Sequence, residues 1–224
     1  MNPQILMYGG VHNDPGSRRR FVGELAKHKA PPHFVAVEWE ESVFQRFVAC
    51  RPLVKERLQP RWDFLTYQDC VELSLALAWE GDAYKECFPG AEPLWLETGF
   101  QEARCDENSP RWAAESLLLQ LCNPCSEWMS SFVSNADPLP APRSKADLVD
   151  CVSRYAWREA FSDNNFARDK RWESAICNRI SGLQDGWIAI VVGWAHADPG
   201  GGTQRLRSLL LSQDFSVTSI RLGP

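Results

Sequence analysis

Gly9-Gly10-Val11-His12-Asn13-Asp14-Pro15-Gly16 and Gly193-Trp194-Ala195-His196-Ala197-Asp198-Pro199-Gly200 share one pattern, Gly-x-x-His-x-Asp-Pro-Gly, near opposite ends of a chain of 224 residues. Each copy follows a short apolar run that suits a buried strand: Ile5–Tyr8 before the first, Trp187–Val192 before the second. A glycine lets the backbone turn sharply where the strand ends. The histidine then sits just beyond the strand's carboxyl end, and Asp-Pro-Gly turns the chain toward the next element. In open α/β sheets that end of the strands is where ligands bind. If the two strands are parallel neighbours, His12 and His196 meet there.

Working outward, Arg18–Lys29 carries Phe21, Val22 and Leu25 at helical spacing, and Phe34–Val37 is a second β-rich run that stops at Glu38. Strand, helix and strand within this span form a βαβ unit with parallel strands. Tyr67–Glu86 reads as a helix, Leu94–Leu96 as a third strand ending near Glu97, and Pro110–Val133 and Lys145–Phe161 as long helices. Pro138, Pro140 and Pro142 make Asn135–Ser144 irregular. Arg171–Leu183 places Trp172, Ala175, Ile176, Ile180 and Leu183 on one helical face. A helix with Leu206, Leu209 and Leu210 follows Gly200-Gly201-Gly202, and Phe215–Leu222 alternates as a closing strand. The fold class expected is one α/β domain over residues 1–224. Its central, mostly parallel sheet is flanked by helices, with a helical middle segment at about 60–165.

Composition narrows the function. Hydrophobic residues make up 44% and charged residues 24%, an ordinary globular balance. The net charge of −5 argues against nucleic acid as a partner. The longest apolar stretch, Trp187–Ala195, is too short to span a bilayer, and Met1–Gly10 does not read as a signal peptide. A cytoplasmic protein with no membrane partner is expected. The eight cysteines then read as free thiols, and Cys122-Asn-Pro-Cys125 lacks the second pair of a zinc site. There is no Gly-x-Ser-x-Gly elbow and no His-Glu-x-x-His.

Two converging imidazoles favour a metal, since neutral histidine nitrogen is a good ligand for Zn, Mn, Fe or Co. Glu38 is the natural third ligand because it also ends a strand of the same unit. Asp14 and Asp198 are either further ligands or caps of the turns they begin. Trp39 and Trp194 stand beside these residues as walls for a substrate. His28 and His33 read as surface residues.

The ordered set Tyr8-Gly9-Gly10-Val11-His12, Val35-Ala36-Val37-Glu38, Ala167-Arg168-Asp169-Lys170-Arg171-Trp172-Glu173-Ser174-Ala175-Ile176 and Ile188-Ala189-Ile190-Val191-Val192-Gly193-Trp194-Ala195-His196 resembles the TraB/Tiki group. That group shares a superfamily with ChaN-like and erythromycin-esterase-like proteins. The resemblance implies an α/β core with pseudo-twofold halves and a cleft holding the two histidines, a glutamate and one or two arginines. Trp194 departs from the small residue usual at that place. Tiki-type members are metal-dependent proteases, erythromycin-esterase-like members hydrolases, and ChaN-like members bind haem or iron.

The expectation is therefore a hydrolase of peptide, amide or ester bonds acting on a peptide or small molecule. A divalent ion (Mn, Co or Zn, with Fe as a further choice) would be held by His12, His196 and Glu38. Arg171, with Arg168 on the same helix, would stabilise the developing oxyanion. In a variant of this scheme Glu38 is the general base and Glu80 or Glu97 takes its place as ligand. The alternatives are a haem-, iron- or metal-binding protein without turnover, and a non-catalytic interaction module.

Overall fold

In the computed structural model, which describes residues 3–12, 14–97, 142–149 and 165–223, the two repeated motifs are joined through their strands. β1 (Gln4–Gly10) pairs in parallel with β4 (Trp187–Gly193), in register from Gln4 opposite Trp187 to Gly10 opposite Gly193. β2 (Val35–Val37), β3 (Pro93–Trp95) and β5 (Val217–Arg221) complete a five-stranded parallel sheet in the order β3-β2-β4-β1-β5. The connection from β1 to β2 passes over β4, and that from β4 to β5 passes over β1. Each half thus steps across the first strand of the other, the interleaving that a pseudo-twofold arrangement requires.

The apolar runs are continuous because both faces of the sheet are covered. On one face Ile5, Met7, Ile188, Ile190 and Val192 pack against Trp172, Ile176 and Ile180 of the helix Asn165–Ile180, and against Leu206 and Leu210 of the helix Leu206–Leu211. On the other, Leu6, Tyr8, Val35, Val37, Ala189 and Val191 meet Phe21 and Leu25 of α1 (Pro15–Leu25) and also Trp79 and Tyr84. A third cluster joins α2 (Glu41–Arg61) to α3 (Tyr67–Ala76) through Phe44, Phe47, Leu58, Leu73 and Leu77. In chain order Asn165–Ile180 is α4, the single turn Trp194–Ala197 is α5, and Leu206–Leu211 is α6.

One expected element is corrected. Tyr67–Glu86 is not a single helix: α3 starts on a capping box between Thr66 and Asp69 and ends at Ala76. Leu77 is extended and Ala78 left-handed (φ 50°), after which 3-10 turns cover Trp79–Gly81 and Ala83–Glu86. The chain leaves the helix so that Trp79, fully buried, can enter the sheet core. α4 begins at Asn165, before the expected Arg171. The expected helix Pro110–Val133 and the pair Cys122 and Cys125 lie outside the described residues, and of Lys145–Phe161 only the helical stretch 145–149 lies within them. Cys70, Cys87 and Cys177 are free. Among the described residues no helix is long and apolar enough to cross a membrane.

The two glycines of the first motif make room for two indoles. A Cβ on Gly9 would collide with the Trp194 ring, and one on Gly10 would lie 2.7 Å from Cζ2 of Trp79. Overpacking a filled core costs about 1–3 kcal/mol. Gly10→Ala should therefore lower the stability read from the urea midpoint by that order, and an unchanged midpoint would contradict the close packing.

Candidate functional site

Glu38 lies where β2 ends, its N–H donating to the carbonyl of Val191 on β4 (3.2 Å). Its Oε2 accepts the N–H of Gly193 at 2.6 Å and its Oε1 accepts Nη2 of Arg168 at 2.8 Å. The two motif histidines stand on either side. Nε2 of His12 is 3.6 Å from Oε2, and Nε2 of His196 is 3.6 Å from Oε1. The β1–β4 pairing brings the histidines together, and the β2–β4 pairing sets the glutamate between them.

Each imidazole is also tied from behind. Nδ1 of His12 lies 2.6 Å from Oε1 of Glu80, whose Oε2 accepts Nε1–H of Trp39 at 3.3 Å. Nδ1 of His196 is bonded to Oδ1 of Asp169, whose Oδ2 accepts the N–H of Leu206 at 3.2 Å. A carboxylate can only accept, so each Nδ1 donates and each Nε2 is left facing Glu38. The backbone beneath His12 is fixed as well. The N–H of Val11 donates to Oγ of Ser17, and its carbonyl accepts Nε1–H of Trp79.

The carboxylates are withdrawn from water: Glu80 and Asp169 are almost fully buried, Glu38 and Glu97 nearly so. His196 is buried too, whereas the side chains of His12 and Arg168 keep 30% and 28% of their surface, so solvent reaches the cluster at these two residues. Burial works against the charge on Glu38, but His196, His12, Arg168 and the Gly193 N–H outweigh it and hold its pKa at about 2. Burial likewise opposes a charge on His12. Glu80 and Glu38 overcome it, with Arg168 in opposition, and raise its pKa from 6.5 to about 9. Arg168 bridges the cluster, donating through Nε to Glu97 as well as through Nη2 to Glu38.

The remaining sequence candidates fall into place around this centre. Glu80 and Glu97 hold His12 and Arg168 respectively, and neither lies in Glu38's position between the histidines. Asp14 caps α1, accepting the N–H groups of Gly16 and Ser17. Asp198 caps its own turn through the N–H of Gly200. Arg171 is exposed on α4 while Arg168 is drawn into the site, so the two do not share a role despite their spacing. His28 is not simply a surface residue, since it stacks on Trp187. Asp169 was missed. Trp172, Ile176 and Ile180 recur every fourth residue along α4, and extending that stripe back one turn reaches Arg168 and Asp169.

Two observations bear on a metal. Glu38, Glu97 and Asp169 face the guanidiniums of Arg168 and Arg205, and Glu80 faces His12, so four buried carboxylates gather around the two histidines and favour positive charge there. A Cβ built on Gly193 would stand 3.2 Å from Nε2 of His12, 3.5 Å from Oε2 of Glu38 and 3.8 Å from Cδ2 of His196. The absent side chain thus leaves a small cradle walled by all three residues, and their donor chemistry is that of a divalent-metal site with carboxylate-backed histidines. With the side chains as they stand, no group of three or more His, Cys, Asp or Glu among the described residues closes into a metal cage. Both oxygens of Glu38 are instead engaged by Arg168 and Gly193.

Set against known proteins, the chain matches no family model, no curated protein and no solved structure.

In chelator-treated protein, protonation of His12 stabilises the fold, because its pKa of about 9 lies above the ordinary 6.5. That contribution is whole below pH 6.5 and is lost as pH rises through about 9. The urea midpoint of the wild type should accordingly fall toward that of His12→Gln across this window. Parallel pH profiles would show that His12 does not gain its proton from Glu80 and Glu38.

Proposed function

We propose that the protein is a metal-dependent hydrolase of peptide, amide or ester bonds, acting on a peptide or small molecule at the carboxyl ends of its strands. The observation that carries the reading is the pair of carboxylate-anchored histidines directing both Nε2 atoms toward Glu38. The resemblance to TraB/Tiki proteins points to the same residues and the same class of chemistry.

The charge states supply the physical reason for an ion. Without one, His12 carries a proton at neutral pH and Glu38, held at about 2, is a weak base. Neither readily takes a proton from water under those conditions. A divalent ion (Mn, Co or Zn) supplies Lewis-acid polarisation of a carbonyl and a more acidic water. His12, His196 and Glu38 would hold it. Glu80 and Asp169 keep both imidazoles in the ligating tautomer. To do so Glu38 would release one oxygen from Arg168 or Gly193, and the Arg168 guanidinium would then be placed to stabilise negative charge developing on the substrate oxygen. The exposed edge of His12 is the side from which substrate enters.

Metal content decides the matter. Protein purified without a histidine tag and incubated with Zn, Mn or Co should retain close to one ion per chain, and His12→Gln with His196→Gln, whose amides still offer donors to Glu80 and Asp169, should lose it while remaining folded. Loaded protein should cleave members of a peptide and ester panel. No uptake of any of these ions by the wild type would overturn the proposal. Co-purifying iron or haem without turnover would replace it with a binding function.

A further inference from the structure

Trp172 has no place in the chemistry above, yet it touches two of its participants. It is fully buried on α4, one turn after Arg168 and Asp169. The Arg168 guanidinium carbon lies 4.7 Å from the centroid of its ring. The His196 ring lies 4.8 Å from it at a tilt of 51°. One turn of helix therefore delivers three groups to the site: Arg168 to Glu38, Asp169 to Nδ1 of His196, and an indole against both the arginine and the histidine.

The indole is a costly way to fill this space. Its Nε1–H is buried with no hydrogen-bond partner among the described residues, an expense that phenylalanine at the same position would avoid. Tryptophan does offer the strongest aromatic face for a cation, and here that cation is a partly exposed guanidinium. Among the described residues Glu38 and Glu97, from the ends of different strands, hold two edges of the Arg168 guanidinium, and the indole adds a contact to its face. The indole ring bounds the guanidinium on one side and lies against the His196 ring, which is itself bonded to Asp169.

We infer that Trp172 is a positioning residue, whose indole holds the Arg168 guanidinium and the His196 ring in the relative arrangement from which both address Glu38. It touches no reacting atom and acts through those two side chains. The inference rests on the proposed hydrolase for its consequence but not for its geometry, so two readouts keep the two apart.

The first readout is hydrogen exchange of the Arg168 Nε–H, followed by NMR in arginine-labelled protein and assigned by its loss in Arg168→Lys. Trp172→Met, which keeps bulk without a ring, should speed that exchange about fivefold, the scale of a partly exposed cation–π contact. Trp172→Phe should restore most of the protection. The second readout is Co(II) affinity by titration, where Trp172→Met should bind about tenfold more weakly, as when a residue supporting a ligand is lost. Should Trp172→Met not fold, Trp172→Phe against the wild type carries the test, with a smaller loss of protection expected. Exchange of the Arg168 proton at the wild-type rate in every folded Trp172 variant would overturn the positioning role, even if the melting temperature fell. A wild type that binds no Co(II) would instead sink the hydrolase reading and leave the exchange result to decide this one.

Discussion

The pairing of β1 with β4 is the constraint on which the rest of the molecule depends. It joins the two ends of the chain through parallel, in-register contacts from Gln4 opposite Trp187 to Gly10 opposite Gly193. Because both strands run the same way, their carboxyl ends coincide, and so do the turns that carry His12 and His196. β2 then docks against β4 rather than β1 and delivers Glu38 between them. Helices on both faces keep the central strands dry, which is why their residues are apolar at every position rather than at alternate ones.

The site shows how a buried charge cluster is made tolerable. Each carboxylate is met by a specific donor: Glu38 by Arg168 and the Gly193 N–H, Glu80 by His12 and Trp39, Glu97 by Arg168, Asp169 by His196 and Leu206. Removing one partner from such a network strands a charge without water, which costs far more than the pair contributes when intact. The two halves solve the task differently. The carboxylate behind His12 comes from a 3-10 turn after α3, while the one behind His196 comes from α4. The repeated motif therefore supplies the histidines, and unrelated segments supply their anchors.

Much of this was legible in the sequence because its signals were local. Glycine after an apolar run marked the ends of β1 and β4, and the β-rich run Phe34–Val37 stopped at Glu38, so these strands and the positions of His12, Glu38 and His196 followed from pattern alone. The sequence did not reveal what depends on tertiary packing. The break after Ala76 has no proline or glycine to announce it. Ala78 adopts φ 50° because the core takes Trp79, and Glu80 reaches His12 as a consequence. Arg168 and Arg171 are equally plausible from spacing, and only the docking of α4 through Trp172 and Ile176 turns the first inward and the second to solvent. Asp169 was hidden by its setting between Arg168 and Lys170, where a charged helix surface is the ordinary expectation.

The central claim is that buried carboxylates set the tautomers of both histidines so that two Nε2 atoms point into one space. Long-range nitrogen–proton NMR of the imidazole rings tests it directly, in ion-free protein at a pH above the His12 value of about 9. The account predicts that His12 and His196 both carry their proton on Nδ1, with Nε2 bare. A proton on Nε2 of either ring would contradict it.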